Sequence, residues 1–136
     1  MFSMKYQIRF THTDPAGQVF FPRYFEMLQA AVEEWFTCAL GRKYSDLVFE
    51  DRLGTPTAAI QCTFVKPSRL GDELSIAVKL EHIGNSSFRL RFLGSVDGDP
   101  RLEAVSTLVF ATLVGGKPLP IPPEIRARME AYRKAD

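Results

Sequence analysis

Apolar positions follow two periods along this chain. Tyr6, Ile8 and Phe10 alternate with Lys5, Gln7 and Arg9, the period of a half-buried strand over Tyr6–Phe10. From Pro22 to about Leu40 the spacing lengthens to three and four. Tyr24, Leu28, Ala31 and Trp35 form one stripe, and Phe25, Val32, Phe36 and Ala39 form the adjoining one. Arg23, Glu26, Glu33 and Thr37 fall on the other side. This predicts a long helix whose wide apolar face is buried against a sheet. Pro22 suits its first position, where a missing N–H has no partner to lose, and Gly41 suits its C-terminal cap. Residues 42–54 read as a connection with a short helical turn.

The second half returns to period two. Ala58, Ile60, Cys62 and Phe64 alternate with Ala59, Gln61 and Thr63. Leu74, Ile76, Val78 and Leu80 alternate with Ser75, Lys79 and Glu81, and Phe88, Leu90 and Phe92 with Arg89 and Arg91. Turns are signalled at Leu70-Gly71-Asp72, Gly84-Asn85-Ser86 and Asp97-Gly98-Asp99-Pro100. The last strand, Leu102 to Val114, is apolar on both faces and is expected at the centre of the sheet or at a subunit contact. Pro118, Pro120, Pro122 and Pro123 make a stiff connector, followed by a helical stripe of Ile125, Met129 and Tyr132. The order is α+β, one helix against an antiparallel sheet, in a single domain.

Composition narrows the function classes. Seventeen basic and sixteen acidic side chains leave a formal charge of +1, so no global field draws in nucleic acid or an anionic membrane. No run is long enough to span a bilayer, and the first ten residues lack the order of a signal peptide, so a cytoplasmic location is expected. Cys38 and Cys62 lack any Cys-x-x-Cys partner and read as two small core thiols in a reducing compartment. Two histidines, His12 and His82, are too few and too far apart for a metal site. Gly-x-Gly-x-x-Gly, Walker, Gly-x-Ser-x-Gly and His-Glu-x-x-His motifs are all absent from the sequence.

What remains is Asp14-Pro15-Ala16-Gly17, a type I turn by its residue preferences, set directly before the helix entry. An Asp opening a turn is ordinary turn chemistry. Beside the amide-rich start of a helix it is also a carboxylate placed where negative charge on a reacting oxygen is stabilised. His12 lies two residues earlier, either orienting that carboxylate or making a strand-end hydrogen bond. Phe20, Phe21, Tyr24 and Phe25 either line a substrate pocket or belong to the core.

The run His12-Thr-Asp-Pro-Ala-Gly-Gln-Val-Phe-Phe-Pro-Arg-Tyr-Phe25 resembles the signature of hotdog-fold acyl-CoA thioesterases of the 4-hydroxybenzoyl-CoA thioesterase type. Gly54-Thr55-Pro56, Phe64-Val65, Gly71-Asp72 and Ser87-Phe88 extend the similarity to about Val114. The resemblance implies a five-stranded antiparallel sheet wrapped around one long helix. It also implies a homodimer, commonly paired into a homotetramer, with active sites at the subunit interface. Carried over by position, Asp14 is the nucleophile or general base and the Phe21 backbone N–H polarises the thioester carbonyl, while Gly17 lets the loop approach. His12, Phe20, Tyr24, Gln29, Asn85 and Ser86 are expected around the substrate, with no metal or cofactor. Gln29 stands where the hydroxybenzoyl branch carries an Asp, and Gly84-Asn85-Ser86 stands where that branch has a basic cluster, leaving Lys66, Arg69, Arg89 and Arg91 as other phosphate contacts. The implied substrate is an aryl-CoA or a short to medium acyl-CoA, or an acyl group on a carrier protein. A dehydratase would need a His paired with an acid, and a non-catalytic acyl-CoA-binding domain is the reading from another class.

Overall fold

The computed structural model describes residues 1–135. Seven strands and three helices follow one another as β1 (Phe2–Gln7), α1 (Pro22–Cys38), α2 (Tyr44–Phe49), β2 (Leu53–Gly54), β3 (Thr57–Phe64), β4 (Glu73–Ile83), β5 (Ser87–Val96), β6 (Asp99–Val109), β7 (Ala111–Thr112) and α3 (Pro123–Ala135). Five strands form one antiparallel sheet in the order β1-β4-β5-β6-β3, and β2 pairs with β7. One face of the large sheet packs on α1, the hotdog arrangement that the resemblance implies.

Cross-strand register explains the core. Opposite residues share a face, so Phe64, Leu102, Gly94, Ile76 and Met4 form one inward row, and Cys62, Ala104, Phe92, Val78 and Phe2 form the next. Helix α1 answers with Tyr24, Met27, Leu28, Ala31, Val32, Trp35 and Phe36, the predicted stripe shifted to include Met27. Towards its C-terminal half, Trp35 stacks on Phe88 and Phe36 meets Phe110 edge-on. Each such side chain contributes roughly 1.5–3 kcal/mol by its burial. The dense aromatic packing therefore fixes the far end of the helix and leaves its first turns to the site.

Three expectations change. The first strand begins at Phe2 and ends at Gln7, while Phe10 is exposed in a 3₁₀ turn of Phe10–His12. The Arg9 N–H donates to Nδ1 of His12, a local bond that draws the backbone away from the sheet. The last strand is interior as expected but spans Asp99–Val109, ending where the Phe110 N–H turns to the Ser86 carbonyl. Only one cysteine is a core thiol, since Cys38 is exposed while Cys62 is half-buried and packs against the core.

The C-terminal segment is a full helix and is firmly docked. Ile125 and Met129 are buried, and Tyr132 meets Trp35 edge-on. The Tyr132 hydroxyl donates to the Val78 carbonyl and accepts the Phe2 N–H. Arg128 donates to the Leu40 carbonyl at 2.7 Å, a cation just past the C-terminal cap of α1, where the helix dipole favours positive charge. Among the described residues, no helix is long and apolar enough to cross a membrane.

Candidate active site

The loop before α1 is held from within and from one side. The Asp14 carbonyl accepts the Gly17 N–H at 2.9 Å, closing the predicted turn, and Oδ1 of the same residue accepts the N–H groups of Ala16 (2.9 Å) and Gln18 (3.2 Å). Gly17 has φ +77°, a left-handed conformation that a side chain would strain. From the side, the Val19 N–H donates to the Ser68 carbonyl and the Leu70 N–H to the Gly17 carbonyl, each at 2.9 Å. Oδ2 of Asp14 has no hydrogen bond among the described residues and stays available on a half-buried carboxylate.

Seven residues on, the chain enters α1 through Phe21 and Pro22. Pro22 has no N–H, and the Phe21 N–H has no acceptor among the described residues. A free amide at a helix start is a donor ready for an anionic oxygen. The Phe21 ring is 57% exposed and meets Phe20 and Phe64 edge-on, with Tyr24 beside Phe64 at 5.4 Å. The rings of Phe21, Tyr24 and Phe64 wall a cavity of about 270 Å³ that also touches Gln18 and Lys66. A second cavity, of about 200 Å³, lies further along α1, between Phe25, Gln29 and Val32 on the helix and Ile60, Phe92 and Ser106 on the sheet.

The thiols do not compete for the nucleophile's role. Burial pushes the Cys62 thiol above its ordinary 9.0, and the Cys38 thiol, although exposed, is raised by desolvation, then by its hydrogen bond to Glu34 and that group's charge. Both stay protonated near neutral pH. Among the described residues, no three His, Cys, Asp or Glu side chains converge as a metal site.

The other sequence candidates divide. Asp14 and Gly17 share the turn through their backbone hydrogen bond, Phe20 meets Phe21, and Phe21 and Tyr24 meet at Phe64. Tyr24 is buried, its hydroxyl accepting the Ser68 N–H, so its role at the site is to position. The His12 side chain faces away from Asp14 in its bonding, accepting from Arg9 and packing edge-on to Tyr6, while its carbonyl accepts the Phe20 N–H. Gln29 lines the second cavity, with Nε2 donating to Glu33. Asn85 and Ser86 sit beyond the far end of the eleven-residue β4, roughly 35 Å from the strap that holds Asp14 at 3.2–3.4 Å per residue. One chain alone therefore does not bring them to Asp14. Their carbonyls are bonded within the fold, Asn85 to Ile121 and Arg126, Ser86 to Phe110. Lys66 pairs with Asp99, and Arg89 and Arg91 pair with Glu81. Sequence reading passed over Ser68, Phe64 and Ser106. Phe64 left a trace only as a strand position within the family resemblance, and Ser106 as the polar member of the apolar series Leu102, Ala104, Leu108.

Comparison with known proteins bears on this geometry. Residues 8–129 match the thioesterase-like superfamily. A 4-hydroxybenzoyl-CoA thioesterase from Pseudomonas sp. (strain CBS-3) is 32% identical over 87 residues, which are 63% of this chain and 62% of that relative's length. The structure of a gentisyl-coenzyme A thioesterase superposes with a TM-score of 0.86 at 25% identity, covering 93% of this chain and 98% of the other. A thioesterase complexed with coenzyme A and Zn, from Thermus thermophilus, gives 0.81 at 26% identity, covering 97% and 93%.

Proposed function

This chain belongs to the thioesterase-like superfamily, and from that premise we propose that it hydrolyses an acyl-CoA thioester to the free acid and CoA. The acyl group is an aryl or a short to medium chain. Asp14 acts as nucleophile or general base, and the Phe21 N–H binds the oxyanion. The observation that carries this reading is a carboxylate oxygen without a partner and a helix-start amide without a partner on one pinned loop, beside an aromatic cavity.

In the general-base route Oδ2 takes a proton from water as its oxygen bonds to the thioester carbon. In the nucleophilic route Oδ2 itself makes that bond, and water hydrolyses the resulting anhydride. In either route the carbonyl electrons move onto oxygen and the C–S bond then breaks, releasing the thiolate, which takes up a proton. A donor fixed on that oxygen is worth ~2.7–4 kcal/mol of barrier.

The working unit in this proposal is at least two chains. Ile60 and Phe64 lie on the α1-facing side of the sheet, yet they are 41% and 44% exposed, because β3 is a free edge that α1 does not cover. Antiparallel pairing of two β3 edges about a twofold axis covers them. It also carries the Thr57 end of one chain, next to the 84–86 corner, towards the Phe64 end and Asp14 of the other.

Hydrolysis of a panel of acyl-CoA thioesters by the wild type and by Asp14→Asn tests the reading. Turnover in the wild type with loss in the variant supports it, and wild-type rates in Asp14→Asn would sink the assignment.

A further inference from the structure

Ser106 breaks an otherwise apolar face. It lies in β6 with Ile60 and Leu90 as its cross-strand neighbours, and along its own strand the inward residues are Leu102, Ala104 and Leu108. It is only 3% exposed, and its hydroxyl has no hydrogen bond among the described residues. With no partner in the protein, that hydroxyl is left to water or to a bound group in the cavity it lines, and alanine of nearly the same size would give up no internal hydrogen bond there. It is aimed into the cavity of about 200 Å³ between α1 and the sheet.

That cavity has the form of an acyl site. Its walls are Phe25, Leu28, Val32, Ile60 and Phe92, and its polar lining is Ser106, Gln29 and Thr57. Phe25 is one helical turn beyond Phe21, so the cavity opens about 6 Å along α1 from the free amide, at 1.5 Å per residue. A dry cavity of about 150 Å³ accommodates benzene, so this one takes a single substituted ring or a chain of similar bulk. No charged side chain lines it. A substituent that reaches Ser106 therefore has to be uncharged to avoid an unpaired buried charge.

We propose that Ser106 is a specificity-determining residue whose hydroxyl hydrogen-bonds an uncharged hydroxyl or carbonyl substituent on an acyl group filling this cavity. The proposal rests on the reading that Asp14 and Phe21 mark an acyl-thioester site. Gln29 contributes Oε1 at the mouth, since its Nε2 is engaged with Glu33. A site built around such a bond rejects the analogue lacking the substituent, because the hydroxyl is then left unpaired in the complex.

The test compares benzoyl-CoA with its 2-, 3- and 4-hydroxy derivatives, measuring kcat/KM and equilibrium binding for the wild type and Ser106→Ala. The wild type is expected to prefer at least one hydroxylated ring by about tenfold or more, and the variant to bring that ratio to within about twofold of unity by losing rate on the hydroxylated ring and gaining it on benzoyl-CoA. Ser106→Ala should unfold at the same temperature as the wild type or higher, which a merely structural serine would not do. Hydrolysis with a ratio that Ser106→Ala leaves unchanged would overturn the role of Ser106 and spare the thioesterase reading. Binding with a Ser106-dependent preference but no hydrolysis would overturn the thioesterase reading and spare Ser106. Absence of any preference in binding and in rate overturns the proposal.

Discussion

The phenol oxygen of Tyr24 accepts the backbone N–H of Ser68 at 3.2 Å, joining the first turn of α1 to a segment forty-four residues away. Ser68 is buried, and its carbonyl in turn accepts the Val19 N–H of the Asp14 loop. Tyr24→Phe keeps the ring against Phe64 but leaves the Ser68 N–H without its acceptor, at a cost of about 1–3 kcal/mol. Urea unfolding should show that loss. Turnover should fall as well, because the Ser68 segment holds the loop that carries the carboxylate. Unchanged stability in this variant would mean that Ser68 finds another acceptor.

The same pair marks the boundary of what the sequence discloses. Helix α1 is legible because a modest error in the angle of a stripe still leaves Tyr24, Leu28, Ala31 and Trp35 on one side, and the Asp14 turn is legible because Asp, Pro and Gly each have a local reason to be there. The Ser68 strap is not legible, since Ser68 acts through its backbone and any residue but proline has an N–H and a C=O. Phe10 misleads because His12 captures the Arg9 N–H by a side chain, which no alternation pattern records. Ile60 and Phe64 alternate as a buried strand would, yet a free edge leaves them half exposed.

Asp14 serves the turn through Oδ1 and is proposed to serve catalysis through Oδ2, and two substitutions separate these duties. Asp14→Asn retains a side-chain oxygen for the N–H groups of Ala16 and Gln18, so its unfolding midpoint should stay close to the wild type. Asp14→Ala removes that acceptor, a loss comparable to a helix cap at about 0.5–2 kcal/mol. Turnover should drop by about 10²–10⁴ in both. Equal stability of the two variants, measured by urea titration, would show that the side chain does not hold the turn.

Acid sensitivity follows from the Asp99 carboxyl, held below its ordinary 3.8 first by the hydrogen bond from Lys66 and then by that from Arg101, each at 3.1 Å. A carboxyl with a lower pKa folded than unfolded contributes stability that is whole above the unfolded value and is lost as pH falls through the folded one. Glu81, held below 4.5 chiefly by its hydrogen bond from Arg91, acts in the same direction. Lys66→Met removes the larger cause at Asp99, so its pKa should move up towards 3.8 and stop short of it, because Arg101 remains. An NMR titration of the Asp99 carboxyl reads this directly, and an unmoved midpoint would contradict the assignment to Lys66.

The exposed edge of β3 carries the proposal that two chains complete one site. Natural sheets guard free edges with lysine, proline or bulges, whereas β3 reads Thr-Ala-Ala-Ile-Gln-Cys-Thr-Phe without a single charge. Its bulge, between Thr57 and Ala59, lies at one end and leaves the remaining residues in regular register. Such an edge is suited to pairing. Ile60→Lys places a charge at a half-exposed position, so the chain should still fold, as circular dichroism would show. The charge has to be desolvated if two edges meet, and two copies of it are brought to one interface by symmetry. Sedimentation should therefore find the wild type as two chains or a multiple of two and the variant as one. Hydrolysis should fall in parallel, both because the 84–86 corner then no longer approaches the Asp14 end of a second copy and because Ile60 walls the cavity proposed for the acyl group. A variant that stays assembled and fully active would place the subunit contact elsewhere on the molecule.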